Sequence, residues 1–299
     1  MSPSSPIVVL DSGLGGLSVA REIRNLLPNE DILYFGDTAR LPYGSKTAQT
    51  VGGFVQQIIR YLLPHSPKHV VIACNTATAL ALPAARAAFP SLTITGVVEP
   101  GAKAAVVAAG AKQVPVIGVI ATEATVKSKA YERAVHRRRN HARMLLKPTP
   151  LLVPMIEEGR LAGDPVVKLV LEQYLKPMLQ LRLDVLVLGC THYPVYKDII
   201  QKIVGGAIPV IDSARLCADD VARRLKASGL LHNSLPSPDG AVASEQRGTL
   251  RCFVTDDPQR FARLAPRFIG MPIDEPTWVA PDELYGPAQG GDWPIRVPA

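Results

Sequence analysis

Short unbroken apolar runs recur along this chain, each followed by a polar or glycine-rich turn and then a segment with apolar residues every three or four positions. IVVL (7–10) leads through Asp11 into a segment carrying Leu17, Ala20, Ile23 and Leu27. DILYFG (31–36) leads through Asp37 to a helical pattern near 47–63. HVVIA (69–73) runs into Cys74 and an alanine-rich helix, and TITGVV (93–98) ends at Glu99. PVIGVI (115–120) precedes Thr122 and another helix, DVLVLG (184–189) ends at Cys190, and IPVI (208–211) ends at Asp212. Strands without apolar/polar alternation are buried on both faces, as in parallel sheets covered by helices. The pattern therefore predicts an α/β fold.

The residues closing these strands share a position. Asp11, Asp37, Cys74, Glu99, Thr122, Cys190 and Asp212 all stand at or just beyond a strand's carboxyl end, where open parallel sheets bind their ligands. Asp11, Ser12 and Asp212 have an alternative use as helix caps. A short internal repeat is also visible. VVIACNTAT and VLVLGCTHY both read strand, Cys, polar, helix, and VVLDS and GVIAT end in Ser12 and Thr122. Two similar lobes with mainly parallel sheets would bring the two cysteines to one cleft between them. Residues 1–98 plus 210–285 are expected to form the first lobe and 99–209 the second. Beyond 232 a polar loop, HNSLPSPDGAVASEQRG, precedes a strand in GTLRCFV and a helix in DDPQRFARLAPRF that can rejoin the first sheet. The segment 286–299, rich in Pro and Gly, is expected to be a flexible tail.

Composition narrows the class. The 299 residues are 47% hydrophobic and 20% charged, a globular balance that excludes wholesale disorder. No apolar run is long enough for a membrane span, and the start lacks the basic region of a signal peptide. Four scattered cysteines do not make a disulfide scaffold, and a reducing cytoplasm fits best. The net charge of +7 is concentrated in HRRRNHARMLLK, with Arg137, Arg138, Arg139, Arg143 and Lys147. No aromatic residues interleave and no nucleic-acid motif surrounds it, so a solvated surface is expected rather than a polyanion site.

Several motifs fall away on inspection. Asp-Ser-Gly-Leu-Gly-Gly (11–16) fails the dinucleotide fingerprint because Ser18 stands where the third glycine belongs. GSKT (44–47) lacks the upstream glycine of a phosphate loop. Cys-x-His is not a usual chelating spacing and no CxxC exists, so no metal is expected. Cys-Asn-Thr (74–76) and Cys-Thr-His (190–192) remain. Each cysteine sits between a strand and a helix start, where the helix dipole is expected to lower a thiol's pKa, and His192 can take or hold the Cys190 proton. A cysteine hydrolase needs one thiol with its base. Two matched thiols suit proton transfer at both faces of one carbon, with nearby donors stabilising the carbanion.

At these residues the chain resembles the glutamate racemases, cofactor-independent enzymes of bacterial cell-wall synthesis within the aspartate/glutamate racemase family. The matching stretches are LDSGLGGLSVAREI, YFGDTARLPYG, ACNTATALAL, VVEPGA, GVIATEATV, LLVPMIEEG, VLGCTHYP and IDSA, with GTLRCFVTDDPQRFARLAPRFIG resembling the family's last strand and helix. Thr149 stands where the family commonly has a cysteine. The resemblance implies that Cys74 and Cys190 are the acid/base pair, Cys74 acting on D-glutamate and Cys190 on L-glutamate. Asp11 and His192 would assist the thiols, with Asp37 and Glu157 as auxiliary acids. Glu157 has the alternative of capping a helix start. Asp11, Ser12, Tyr43, Gly44, Asn75, Thr76, Thr191 and His192 would contact the substrate, and Thr122 and Thr125 a carboxylate. The family implies a homodimer and no cofactor. His192 favours glutamate, because related aspartate enzymes tend to carry Glu there. Some members bind gyrase, so a nucleic-acid or gyrase contact through the basic stretch is an added role, not the expected one. Cys217 and Cys252 read as core fillers.

Overall fold

The computed structural model describes residues 2–232 and 247–285. The polar loop at 233–247, apart from Arg247, and the tail at 286–299 lie outside them. Ten strands are found among the described residues: β1 (Ile7–Asp11), β2 (Ile32–Gly36), β3 (His69–Ile72), β4 (Ile94–Gly96), β5 (Val116–Ala121), β6 (Arg143–Pro148), β7 (Val185–Gly189), β8 (Val210–Asp212), β9 (Leu250–Val254) and β10 (Thr277–Trp278). They form two sheets, in the orders β10-β9-β2-β1-β3-β4 and β6-β5-β7-β8, and every pairing is parallel.

The apolar runs account for this directly. All residues of β1, β2, β3 and β7 are buried. Each fully buried Val, Leu or Ile side chain contributes roughly 1.5–3 kcal/mol from removal of its surface from water. Helices Leu17–Leu26, Ala48–Leu62 and Asn75–Ala88 form where the helical spacing was read. The helix expected across DDPQRFARLAPRF is two short pieces, Pro258–Leu264 and Pro266–Ile269. Pro266 has no N–H to continue the first piece.

The internal repeat has a topological counterpart. The first four strands are ordered β2-β1-β3-β4 and the second four β6-β5-β7-β8. In each unit the chain passes to one side of the opening strand and then crosses to the other. That creates a topological switch point at the carboxyl ends of β1 and β5, where ligand crevices form. Cys74 and Cys190 follow β3 and β7, the equivalent third strands.

The strand pairing corrects two expectations. Val210–Asp212 hydrogen-bonds to β7, so by sheet membership it belongs with the second lobe and not with a first lobe resuming at 210. The strand Arg143–Pro148, on the edge of the second sheet beside β5, falls inside the stretch read for its charge alone. Its backbone is held by β5 although Arg143 remains exposed. Strand β9 joins β2 in the first sheet, as expected. The lobes share apolar packing: Leu17, Ala20 and Ile23 of the first helix lie in one continuous core with Cys217 and Val221 of helix Ala214–Ala227 and with Leu186 and Leu188 of β7. No helix among the described residues is long and apolar enough to cross a membrane.

Candidate active site

The carboxyl ends of the two sheets enclose a cavity of about 130 Å³. Cys74, Asn75 and Thr76 enter it from the first sheet, and Cys190, Thr191 and His192 from the second. Ser12, Tyr43, Gly44 and Thr122 also line it. Both cysteines are buried free thiols.

Cys74 is the N-cap of helix Asn75–Ala88, and its sulfur accepts the Ala77 N–H at 3.5 Å. The helix start was expected to lower this thiol. Burial wins instead and pushes it up to about 12, Asp11 adds to the rise, and the Ala77 N–H offsets only part. Its other polar neighbour is the Ser12 hydroxyl at 3.7 Å. Behind both lies Asp11, which accepts the Gly13 N–H at 3.1 Å and the Thr191 hydroxyl at 3.4 Å. The second contact crosses between the lobes. Burial raises the Asp11 pKa, opposed by the positive charge of His192. Neither Asp11 nor Ser12 caps the following helix, which begins at Gly16 without a side-chain cap.

The Cys190 side is built differently. His192 Nδ1 lies 3.8 Å from the Cys190 sulfur, and Nε2 lies 2.6 Å from Glu157 Oε1. Burial alone would lower the His192 pKa, but its contacts with Cys190 and Glu157 outweigh burial and raise it well above the ordinary value. Burial likewise pushes Glu157 up, and His192 more than reverses that, holding the carboxylate below its usual range. The two directions agree: each favours a protonated His192 paired with an ionised Glu157. Glu157 closes the helix Leu152–Glu157 instead of starting one, so the capping alternative does not apply.

Gly15 of the 11–16 motif serves close approach between the lobes. A Cβ on Gly15 would stand 2.3 Å from Thr191 Oγ1 and 2.6 Å from His192 Nδ1. On Gly44 it would meet Thr122 at 2.8 Å. At that end of the cavity the hydroxyls of Thr76, Thr122 and Thr125 form a triangle with sides of 2.8, 3.0 and 3.3 Å, joining the first lobe to the second. Thr125 stands behind Thr76 and Thr122, outside the lining. Asp37 also lies outside it. Fully buried, Asp37 accepts from the Tyr43 hydroxyl, from Arg40 Nε at 2.7 Å and from Thr255 at 3.0 Å, so it reaches the cavity through Tyr43.

Sequence reasoning passed over Leu41, Pro42, Pro150, Val153 and Pro154, which supply apolar wall. Thr149 was noted only as a departure from the family; it lines the cavity and shares a hydrogen bond with the Tyr193 hydroxyl at 2.7 Å. Glu99 and Asp212, grouped with the strand-end acids, take other partners: Glu99 pairs with Arg137 and Arg138, and Asp212 with Lys197 at 2.6 Å. Arg139 donates to the carbonyls of Gly110 and Lys112. Arg137, Arg138 and Arg139 are thus occupied at the two ends of helix Val98–Ala108. Among the described residues no three His, Cys, Asp or Glu side chains cluster as a metal site.

Two switch-point crevices facing each other, with one thiol from each, define a racemase-like site. A model of the Asp/Glu/Hydantoin racemase family matches residues 9–221. The chain belongs to this family of isomerases. It is 44% identical to the glutamate racemase of Koribacter versatilis over 92% of this chain and 97% of that protein. The crystal structure of glutamate racemase from Francisella tularensis in complex with D-glutamate superposes with a TM-score of 0.83 at 32% identity, covering 94% of this chain and 99% of that one. The enzyme from Thermus thermophilus, in complex with β-chloro-D-alanine, gives a TM-score of 0.79 at 41% identity, covering 95% of this chain and 100% of that one.

Proposed function

We propose that this chain interconverts L-glutamate and D-glutamate by a two-base transfer at Cα, without a cofactor, and supplies D-glutamate for peptidoglycan. The observation that carries the reading is the placement of Cys74 and Cys190 at equivalent points of two sheets around one cavity. One thiolate takes the Cα proton, and the electron pair left on carbon spreads into the α-carboxylate. The opposite thiol then delivers its own proton to the other face. The sulfurs end with their protonation states exchanged, ready for the reverse reaction. Cys190, backed by His192 and Glu157, serves L-glutamate, and Cys74, beside Ser12 and Asp11, serves D-glutamate.

Each neighbour has a task in this scheme. Donors from Ser12, Thr76 and Thr191 meet charge building on the α-carboxylate, in a site whose low dielectric strengthens them, while Asn75 holds a substrate carboxylate equally in ground and transition states. The buried Asp11 carboxylate suits the substrate ammonium, whose arrival compensates its charge. A high thiol pKa makes the Cys74 thiolate a strong base once formed. Tyr43, Gly44 and Thr122 line the end suited to the side-chain carboxylate, with Thr125 holding Thr122 from behind and Asp37 holding Tyr43. A homodimer in the cytoplasm completes the reading.

The test is the circular dichroism of L-glutamate, D-glutamate and both aspartates incubated with protein dialysed against a chelator. Both glutamate signals should decay to zero. Turnover of aspartate alone sinks the substrate assignment, and activity that returns only with zinc or pyridoxal phosphate sinks the mechanism.

A further inference from the structure

Asn75 is 2% exposed, and its amide is only half used. Oδ1 accepts a hydrogen bond from the Tyr131 hydroxyl at 2.7 Å. Nδ2 is buried and has no hydrogen-bond partner among the described residues, although Asn75 lines the cavity. A buried amide N–H without a partner costs roughly 1–3 kcal/mol, so a fold that keeps one unpaired beside a cavity keeps it for an incoming acceptor.

An asparagine amide can turn over with almost no change of shape, exchanging donor for acceptor. Something must choose between the two orientations. Tyr131 does not belong to the Asn75 lobe: it lies on helix Ala130–His136, and its ring is 2% exposed. Its hydroxyl sits against Gly101, where a Cβ would stand 3.2 Å from the oxygen and 3.3 Å from Ser213 Cβ. The Ser213 hydroxyl also hydrogen-bonds the tyrosyl oxygen. Burial raises the Tyr131 pKa, so the phenol keeps its proton and has it to donate.

We propose that Tyr131 is a positioning residue: by donating its hydroxyl proton to Asn75 Oδ1 across the lobe boundary, it holds the amide so that Nδ2 faces the cleft as an unspent donor for a substrate carboxylate. Were the amide turned over, Oδ1 would face the same carboxylate and repel it. Because the two residues come from different lobes, the donor is aimed only while the lobes are together.

This inference rests on the racemase reading, so the experiment has a kinetic arm and an arm free of turnover. Tyr131→Phe keeps the ring and removes the proton. The KM for glutamate should rise about tenfold with kcat within about threefold, the size expected for one misaimed hydrogen bond to a charged group. In an Asn75→Ala background, adding Tyr131→Phe should change KM by less than about twofold, because the amide it acts through is gone. In protein labelled with ¹⁵N at asparagine, the Asn75 side-chain NH2 signals, identified by their loss in Asn75→Ala, should shift in Tyr131→Phe. An unchanged KM, full additivity of the two substitutions, or unmoved Asn75 signals would each overturn the proposal. If wild-type protein does not turn over glutamate, the racemase reading fails, and the spectra still decide whether Tyr131 holds Asn75. If Tyr131→Phe does not fold, Ser213→Ala replaces it, with a smaller shift of the same signals expected and none overturning the proposal.

Discussion

His192 bridges Glu157 and Cys190: one ring nitrogen is 2.6 Å from the Glu157 carboxylate and the other 3.8 Å from the Cys190 sulfur. Among the described residues Cys74 has no such relay, only Ser12, the Ala77 N–H and the nearby Asp11. Two thiols placed alike by topology are therefore served by unlike chemistry.

Glu157→Gln should expose that asymmetry. The carboxylate helps hold His192 protonated, so its loss lowers the histidine's pKa. The imidazolium would then be lost at lower pH. The alkaline limb of kcat for L-glutamate should move to lower pH by at least about one unit, with a loss of roughly tenfold or more at neutral pH. A pH–rate profile in both directions checks this; an unchanged alkaline limb contradicts the relay.

Replacing either Cys74 or Cys190 by alanine should abolish racemisation in both directions, since each direction needs one acid and one base; the loss should reach at least ~10²–10⁴-fold. In deuterated water the wild type should place solvent deuterium at Cα of product formed from either enantiomer. A folded single mutant that still racemises substantially, or product that retains the substrate's own hydrogen, would point to a single-base enzyme.

Gly15→Ala should cost activity while the sheets stay intact. Its methyl group would collide with Thr191 Oγ1 and His192 Nδ1, both site atoms from the opposite lobe. Overpacking of this kind costs about 1–3 kcal/mol when the neighbours must shift. Turnover should fall more than about tenfold, with far-ultraviolet dichroism unchanged. Wild-type kinetics in this variant would show that the close approach is not needed.

His69 supplies a stability test away from the site. It is buried on β3, hydrogen-bonded to Thr95 at 3.1 Å, and burial, helped by Arg224 and opposed by Asp220, lowers its pKa to about 4. The unfolded chain binds this proton near pH 6.5, so its contribution is fully present above that pH and is lost as pH falls toward 4. Between pH 7.5 and 5 the loss from this residue is on the order of 2 kcal/mol. Urea unfolding of wild type and His69→Asn should differ in pH slope by that amount over this range. Parallel slopes would mean that His69 does not titrate as its burial requires.

Cys217 is fully buried among Val221, Leu225 and Ala218, and Cys252 lies on β9; neither lines the cavity. Alanine at either position should leave turnover within about tenfold, since no acid/base role is removed. A larger loss in folded protein, measured by racemase assay, would contradict their place as core residues.

Much of this was legible in the linear chain. Unbroken apolar runs fixed the strands and their parallel pairing, because a strand buried on both faces leaves no polar alternation. Of the polar residues after those runs, Cys74, Thr122 and Cys190 marked the cleft, because a parallel sheet sends all its carboxyl ends to one edge. The paired Cys-Asn-Thr and Cys-Thr-His motifs marked the chemistry. Strand Arg143–Pro148 was hidden because an edge strand is only half-buried and its charges dominated the reading. The position of Val210–Asp212 was decided by hydrogen bonds to β7, which no local pattern records. The pKa of Cys74 was misread for a similar reason: a helix start is visible in sequence, whereas the depth of burial that overrides it arises only when two lobes close over the thiol. The His192–Glu157 pair and the Tyr131–Asn75 bond join residues 35 and 56 positions apart. The first depends on packing within the second lobe and the second on packing across the cleft, and both belong to the tertiary structure alone.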